Sequence, residues 1–181
     1  MASKRKPEES VLNYIISFFI YSVVLWVYKV IFSWAVNPSG LETGVLYGPY
    51  MPFYGLCIMF VMLIFNLIKK YGKEKDINPT PILLIVMSVV LLGGLEFLGS
   101  LAYESIFKVA PWDYSKMVYN INGRICCENT IFLSVFELIC VYIAQPFLNK
   151  ILDKVWLSGR IIISMAIVAV LITDIICTFM K

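Results

Sequence analysis

An all-α fold, a polytopic membrane helix bundle with about five transmembrane helices, is predicted by three features of the sequence. Of its 181 residues, 60% are hydrophobic and only 15% charged, with a mean hydropathy of +0.83. A water-soluble domain of this size has too much surface to hide so much apolar area. The apolar residues gather into runs near the roughly 20 residues that cross about 30 Å of hydrocarbon as a helix. Lysine and arginine then fall unevenly on the connections between runs, the bias that orients membrane chains.

Residues 1–10 form a short charged tail with Lys4, Arg5, Lys6, Glu8 and Glu9, and residues 11–181 a single transmembrane domain. The first span, 11–36, is too long for a signal-peptide core and lacks a small-residue cleavage site, so it is expected to stay as an anchor. Asn37-Pro38-Ser39-Gly40 makes the loop after it. Further spans are expected at 53–68, 82–107, 123–147 and 161–179, the second being the shortest. Between the last two, Leu148, Ile151, Leu152, Val155 and Trp156 share a helical face opposite Asn149, Lys150, Asp153 and Lys154. That pattern fits a helix lying on the inner leaflet, or one docking a cytoplasmic partner. Ten basic residues lie on the side of the tail, of 69–75 and of 150–160, against four (Lys108, Lys116, Arg124 and Lys181) on the other. The bias predicts a multi-pass cell-membrane protein with its N-terminus in the cytoplasm and its C-terminus outside.

The chain has no histidine, which removes the commonest general base and the commonest metal ligand together. Its five cysteines show no C-x-x-C spacing. Cys57, Cys140 and Cys177 sit in apolar runs as small hydrophobes. A bridge between the adjacent Cys126 and Cys127 would be strained, so free thiols are expected. No basic tract suits nucleic acid, and neither a metal nor another cofactor is expected.

An ionisable residue inside a span costs a few kcal/mol on insertion scales, so each needs a reason. Lys29, Glu96, Glu128 and Asp174 fall in one outer slab of the predicted bundle, with Glu104 and Arg124 at its rim. Gly93, Glu96, Ser100 and Glu104 follow at steps of three, four and four, the spacing of one helical stripe. Arg124 and Glu128 are one turn apart on the fourth span. With the two stripes facing, Arg124 is neutralised by Glu104, Glu128 or both. The result is either an ion-pair network that fixes helix register or an outward-open polar cavity, the latter because acids outnumber the bases that could pair with them. Glu137, half a turn round from Glu128, either faces another helix near Tyr142 or Gln145 or carries a proton.

The densest polar stretch lies between the third and fourth spans: Pro111-Trp112-Asp113-Tyr114-Ser115, then Asn120-Ile121-Asn122-Gly123-Arg124-Ile125-Cys126. Tryptophan and tyrosine suit a membrane interface, and Asn-Gly supplies a turn. The candidate ligand-binding residues are therefore Glu96, Glu104, Trp112, Asp113, Tyr114, Asn122, Arg124 and Glu128. On the other outer connection, Tyr47-Gly48-Pro49-Tyr50-Met51-Pro52-Phe53-Tyr54-Gly55 carries two prolines three apart, which favour an extended, stiff entry. Tyr47, Pro49, Pro52 and Tyr54 are expected either to roof the same cavity or to form an ordinary aromatic belt.

At these two segments the chain resembles the CmpB-like family of bacterial integral membrane proteins described as "putative ABC-transporter type IV". Members look like Y-G-P-x-x-P-x-Y-G after the first span, and W-D-Y-S then N-x-N-G-R-I-C before the fourth. Here these are Tyr47 to Gly55, Trp112 to Ser115, and Asn120 to Cys126. Glu96 matches an acid on the third helix, a weaker correspondence. The resemblance runs from the first span through the fourth, and implies a membrane transport component akin to a permease. It departs from importer permeases in having no E-A-A with a spaced glycine in a cytoplasmic loop. No Walker motif is present, so an ATPase would be a separate chain. The partners implied are thus the bilayer and either that ATPase or a second copy of this chain.

Three functions remain open on the sequence. A transport component would bind a small polar or cationic ligand, with Glu96, Glu104 and Glu128 supplying charge, Arg124 setting it, and Trp112 and Tyr114 stacking on the ligand. An integral membrane enzyme could use buried carboxylates on a lipid or headgroup without histidine. A structural or regulatory subunit would use the charges for helix assembly alone. The missing histidine counts against the enzyme, and the excess of acids against the purely structural role.

Overall fold

Pro7 opens the first helix, where a missing N–H costs nothing and a fixed φ suits the first turn. This α1 runs Pro7–Val36 in the computed structural model, which describes residues 7–36, 44–74 and 81–180. The helix begins inside the expected tail. The tail's Lys4 to Lys6, the Asn37–Gly40 loop and Lys75 lie outside the described residues. Then come α2 (Pro52–Glu74), α3 (Pro81–Phe107), a two-residue hairpin of β1 (Asn120–Ile121) and β2 (Ile125–Cys126), α4 (Cys127–Ile139), a π-helical segment (Cys140–Ala144), α5 (Gln145–Leu152) and α6 (Leu157–Phe179). Because α4, the π segment and α5 run on as one rod, the described chain has five helices. Four of them are long and apolar enough to cross a membrane, while the apolar part of α2 is Pro52–Ile68. The protein is an all-α membrane helix bundle.

The helices begin or end up to six residues outside the expected spans at 7, 74 and 157, and the fourth span differs at both of its ends. It starts at Cys127 rather than Gly123, because Asn120 to Cys126 pair as an antiparallel hairpin, Asn120 opposite Cys126 and Ile121 opposite Ile125. At the other end Pro146 does not stop the rod. A proline cannot donate to the helical ladder and crowds the carbonyl four residues back, and the π segment immediately before it absorbs that misfit. Of the stretch expected to lie on a leaflet, 148–152 is therefore the end of that rod and 153–156 the turn after it.

The chain forms two compact units, Met1–Leu56 with Ala144–Lys181, and Cys57–Ile143. In the first, one face of α1 is buried at steps of four: Asn13, Ser17, Tyr21, Leu25, Lys29 and Ser33. Lipid tails are as apolar as leucine, so helices in a bilayer associate through packing and interhelical hydrogen bonds. This face shows both. Gln145 donates to the Ser17 hydroxyl at 3.1 Å and accepts from the Tyr21 phenol at 2.9 Å. Asn13 accepts from Arg160 at 3.1 Å and donates to Asp153 at 3.3 Å. Asn13 and Arg160 stand near the N-termini of α1 and α6, which therefore run parallel. Ile16, Leu152 and Ile167 form the apolar cluster beside this network.

In the second unit α3 packs antiparallel to α4. Leu84, Ser88, Leu92, Glu96 and Ser100 make the buried face of α3, and Asn129, Thr130, Leu133, Ser134 and Glu137 that of α4. Val86, Val90 and Leu98 on α3, and Ile131, Phe132 and Val135 on α4, are exposed, as residues that meet acyl chains should be.

Candidate functional site

The buried faces of α3 and α4 meet along a polar line. Glu96 is 0% exposed and accepts from Asn129 Nδ2 at 3.0 Å and Thr130 Oγ1 at 3.1 Å. Eight residues toward the other end of α3, Ser88 donates to Glu137, which is also 0% exposed and stands eight residues beyond Asn129 on α4. The two pairs are thus about 12 Å apart on both helices, the spacing of one straight antiparallel register. Ser134 returns its hydroxyl to the Thr130 carbonyl at 2.7 Å.

The line ends under the segment 111–126. Ile121-Asn122-Gly123-Arg124 is a tight turn closed by the Arg124 N–H on the Ile121 carbonyl at 2.9 Å. Both central residues are left-handed, Asn122 at φ 53° and Gly123 at φ 66°, the pattern that Asn-Gly favours in hairpins. A Cβ on Gly123 would also lie 3.0 Å from Asp113 Oδ1. The turn is tied down by the Trp112 indole donating to the Arg124 carbonyl at 2.9 Å and by the Tyr114 N–H on the Gly123 carbonyl at 2.8 Å. Asp113 closes a turn of its own, accepting from the Ser115 N–H at 2.8 Å and hydroxyl at 3.0 Å. The Ser115 backbone donor, then its hydroxyl, hold the Asp113 carboxyl below the usual carboxylate range.

This geometry sends the Arg124 side chain back to α3, where it donates to the Ser100 hydroxyl at 2.9 Å and pairs with Glu104. Of the two acids expected to neutralise it, Glu104 does so. Glu128 does not sit one turn from Arg124 on a common helix, because Arg124 belongs to the hairpin; it is exposed and receives the Cys126 thiol at 3.1 Å. Cys126 caps α4, accepting the Asn129 N–H, and burial pushes its thiol up. Cys127 is exposed, and all five cysteines are free.

The structure therefore brings Glu104, Trp112 and Arg124 together, with the Tyr114 backbone beside them and Glu96 about two turns further along α3. Asp113, Asn122 and Glu128 are exposed around them, Asn122 shaping the turn and Asp113 its own loop. In the other unit, Pro49 is the centre of a three-residue turn in which the Tyr50 N–H meets the Gly48 carbonyl at 2.9 Å. Pro52 is the first residue of α2 rather than part of an extended entry. Tyr54 lies beneath Lys29, whose Nζ is 4.9 Å from the ring centroid. The Tyr47 N–H donates to Asp174 Oδ1 at 3.0 Å.

Sequence reasoning missed Ser88, Asn129 and Thr130, the groups that hold the two buried acids. Among the described residues, no group of three or more His, Cys, Asp or Glu side chains is placed to hold a metal ion.

The Arg124–Glu104 pair is part-exposed, at 20% and 42% of the two side chains, so its strength is that of a well-made interfacial pair, about 1 kcal/mol. Glu104→Gln and Arg124→Ala should therefore each lower the melting temperature modestly and non-additively in detergent. Arg124→Ala combined with Glu128→Gln should be additive. Coupling of Arg124 to Glu128 instead would contradict the hairpin geometry.

A family model described as "Putative ABC-transporter type IV" matches residues 16–179. No curated protein and no solved structure matches the chain.

Proposed function

We propose, for a chain that belongs to the "Putative ABC-transporter type IV" family, that the polar line between α3 and α4 binds a small cationic or polar ligand during transport. That the protein is a multi-pass membrane protein related to transport follows from the family and its apolar helices. The reading of a site rests chiefly on Glu96. It is a fully buried acid in the middle of a membrane-spanning helix, oriented by two side chains of the next helix. Ionisable residues inside spans are costly and mark substrate or ion pathways, proton relays and voltage sensors. Ser100, Arg124 and Glu104 continue the line to the hairpin, so Arg124 sets the charge at the mouth and Glu96 receives the ligand below. Trp112 and Tyr114 are committed by hydrogen bonds to shaping that mouth, through the indole of one and the backbone N–H of the other.

The hairpin end of α3 and α4 is the outer end in this reading, with the N-terminus cytoplasmic and the C-terminus outside. The basic bias supports it, as do the parallel α1 and α6, which suit an odd number of crossings. Burial of Arg160 removes one charge from the inner side without reversing the bias. ATP hydrolysis would come from a separate chain.

The test is a thermal-shift series on purified protein with monovalent cations, divalent cations and small amines. A ligand at 100 times its Kd stabilises by about 2.7 kcal/mol. One class should raise the melting temperature of the wild type and lose its effect in Glu96→Gln. No shift across the series, or an equal shift in Glu96→Gln, would refute the site.

A further inference from the structure

Glu137 is the second fully buried acid of the α3–α4 line, and the ligand reading at Glu96 makes no use of it. Its Oε2 accepts from the Ser88 hydroxyl, while its Oε1 is buried with no hydrogen-bond partner. Among the described residues no cation pairs with it. The thiols of Cys57 on α2 and of Cys140, one turn further along its own rod, lie close enough to feel its charge. Neither expected neighbour serves it: Gln145 is engaged by Ser17 and Tyr21, and Tyr142 is exposed.

A carboxylate anion in such a place would leave a charged oxygen unsatisfied in a medium with almost no polar response. A neutral carboxylic acid leaves at most one uncharged polar atom unpaired, a far smaller penalty. The surroundings also limit what Glu137 could bind. On the register set by the two polar pairs, the buried Leu92 and Leu133 fall between Glu137 and Glu96. A metal or ammonium ion would need further ligands there, whereas a proton needs none. The residue stands one turn ahead of the π segment, and such segments occur often at functional sites in helices.

We propose that Glu137 is a proton-exchange site: it holds a proton within the membrane span in the resting protein and exchanges it with water. In that exchange the carboxyl O–H bond breaks, its electron pair stays on the carboxylate, and the proton passes to a water molecule, which becomes hydronium, while the Ser88 hydroxyl holds the carboxylate left behind by donating to its Oε2. The site is independent of ligand binding at Glu96 and would survive the failure of that reading.

Infrared spectra of the protein in lipid nanodiscs test it. The wild type should show the C=O stretch of a protonated carboxylic acid at neutral pH. The band should shift in D2O, vanish in Glu137→Gln and persist in Glu96→Gln. Absence of the band, or its survival in Glu137→Gln, overturns the assignment. A band that belongs to Glu137 but does not shift in D2O overturns the exchange. Melting temperature supplies a check that does not depend on the spectrum. Glutamine copies the shape and neutrality of the acid, so Glu137→Gln should melt within a few degrees of the wild type. Failure of that variant to fold would show that a paired anion had been removed, and would also overturn the proposal.

Discussion

Arg160→Ala should be among the most destabilising single substitutions in the protein, costing on the order of 3 kcal/mol. The guanidinium is buried at the start of α6, donates to Asn13 Oδ1 at 3.1 Å and lies 4.0 Å from Asp153 Oδ1. Asn13 passes the connection on, its amide donating to Asp153 at 3.3 Å and lying 3.5 Å from Asn149 Oδ1. One arginine therefore joins α1, the end of α5 and the start of α6. Breaking a buried pair by removing one partner costs about 3–5 kcal/mol, and the lower end applies because Asp153 is 39% exposed. Arg160→Lys should recover only part of the loss, since a single ammonium cannot keep the geometry of the planar fork. Arg160→Ala combined with Asn13→Ala should cost less than the two separately, because both cut the same network. The exposed Lys154 makes the control, with Lys154→Ala staying within about 0.5 kcal/mol. Denaturant titration in detergent measures all five, Asn13→Ala alone included. A loss below about 1 kcal/mol for Arg160→Ala, with strict additivity, would show that Arg160 is only a surface anchor.

The importance of Arg160 was not visible from its place in the sequence. It stands beside Trp156 and Ser158 at the edge of an apolar run, where an arginine reads as one more loop charge that orients the chain. Only the crossing of α1 and α6 brings Asn13 to it, and a lone asparagine near a span's end gives no sign of that. The buried stripe on α1 was present in the sequence as Asn13, Ser17, Tyr21, Lys29 and Ser33 at multiples of four. Lys29 alone draws attention there, because serines in a span are inexpensive and too common to stand out.

The fold class was legible because hydropathy over some twenty residues is a strong signal. The start of the fourth helix was not. Ile125 and Cys126 are apolar and continue directly into Cys127, and two extended residues are too few to show an alternating pattern. The acidic stripe on α3 could be read from its spacing, and so could a link from Arg124 to Glu104. Of the partners expected for Arg124, Glu104, Glu128 or both, Glu128 drops out because helix was assumed where Asn122 and Gly123 make a turn. Asn129 and Thr130 gave no signal of their own, since they acquire meaning only opposite Glu96.

The loop before α2 should come loose when Asp174 is changed, and the loss should be of the same order as that for Arg160. Asp174 is buried on α6 and collects the N–H of Tyr47 at 3.0 Å, the N–H of Gly48 at 2.9 Å and the Tyr50 phenol. Each hydrogen bond to a charged group is worth about 1.5–3 kcal/mol, and the more exposed backbone donors recover part of theirs from water. Asp174→Ala should therefore cost on the order of 3 kcal/mol. Asp174→Asn should recover little, because its amide NH2 must face an N–H donor. Tyr50→Phe removes one donor and should show coupling to Asp174→Asn. Gly48→Ala should weaken the same contact from the other side, since its Cβ would lie 2.2 Å from the Tyr50 ring. The phenol supplies a direct readout. Burial first, and then the Asp174 carboxylate, raise Tyr50 from 10.0 to about 12. A raised acid is held neutral in the fold, so its contribution to stability is complete below pH 10 and is lost as the pH rises through about 12. Ultraviolet titration should show one tyrosine ionising near that upper value in the wild type, returning toward the ordinary range in Asp174→Asn and vanishing in Tyr50→Phe. A Tyr50 that titrates normally in the wild type, with Asp174→Ala no less stable, would mean that α6 does not hold this loop.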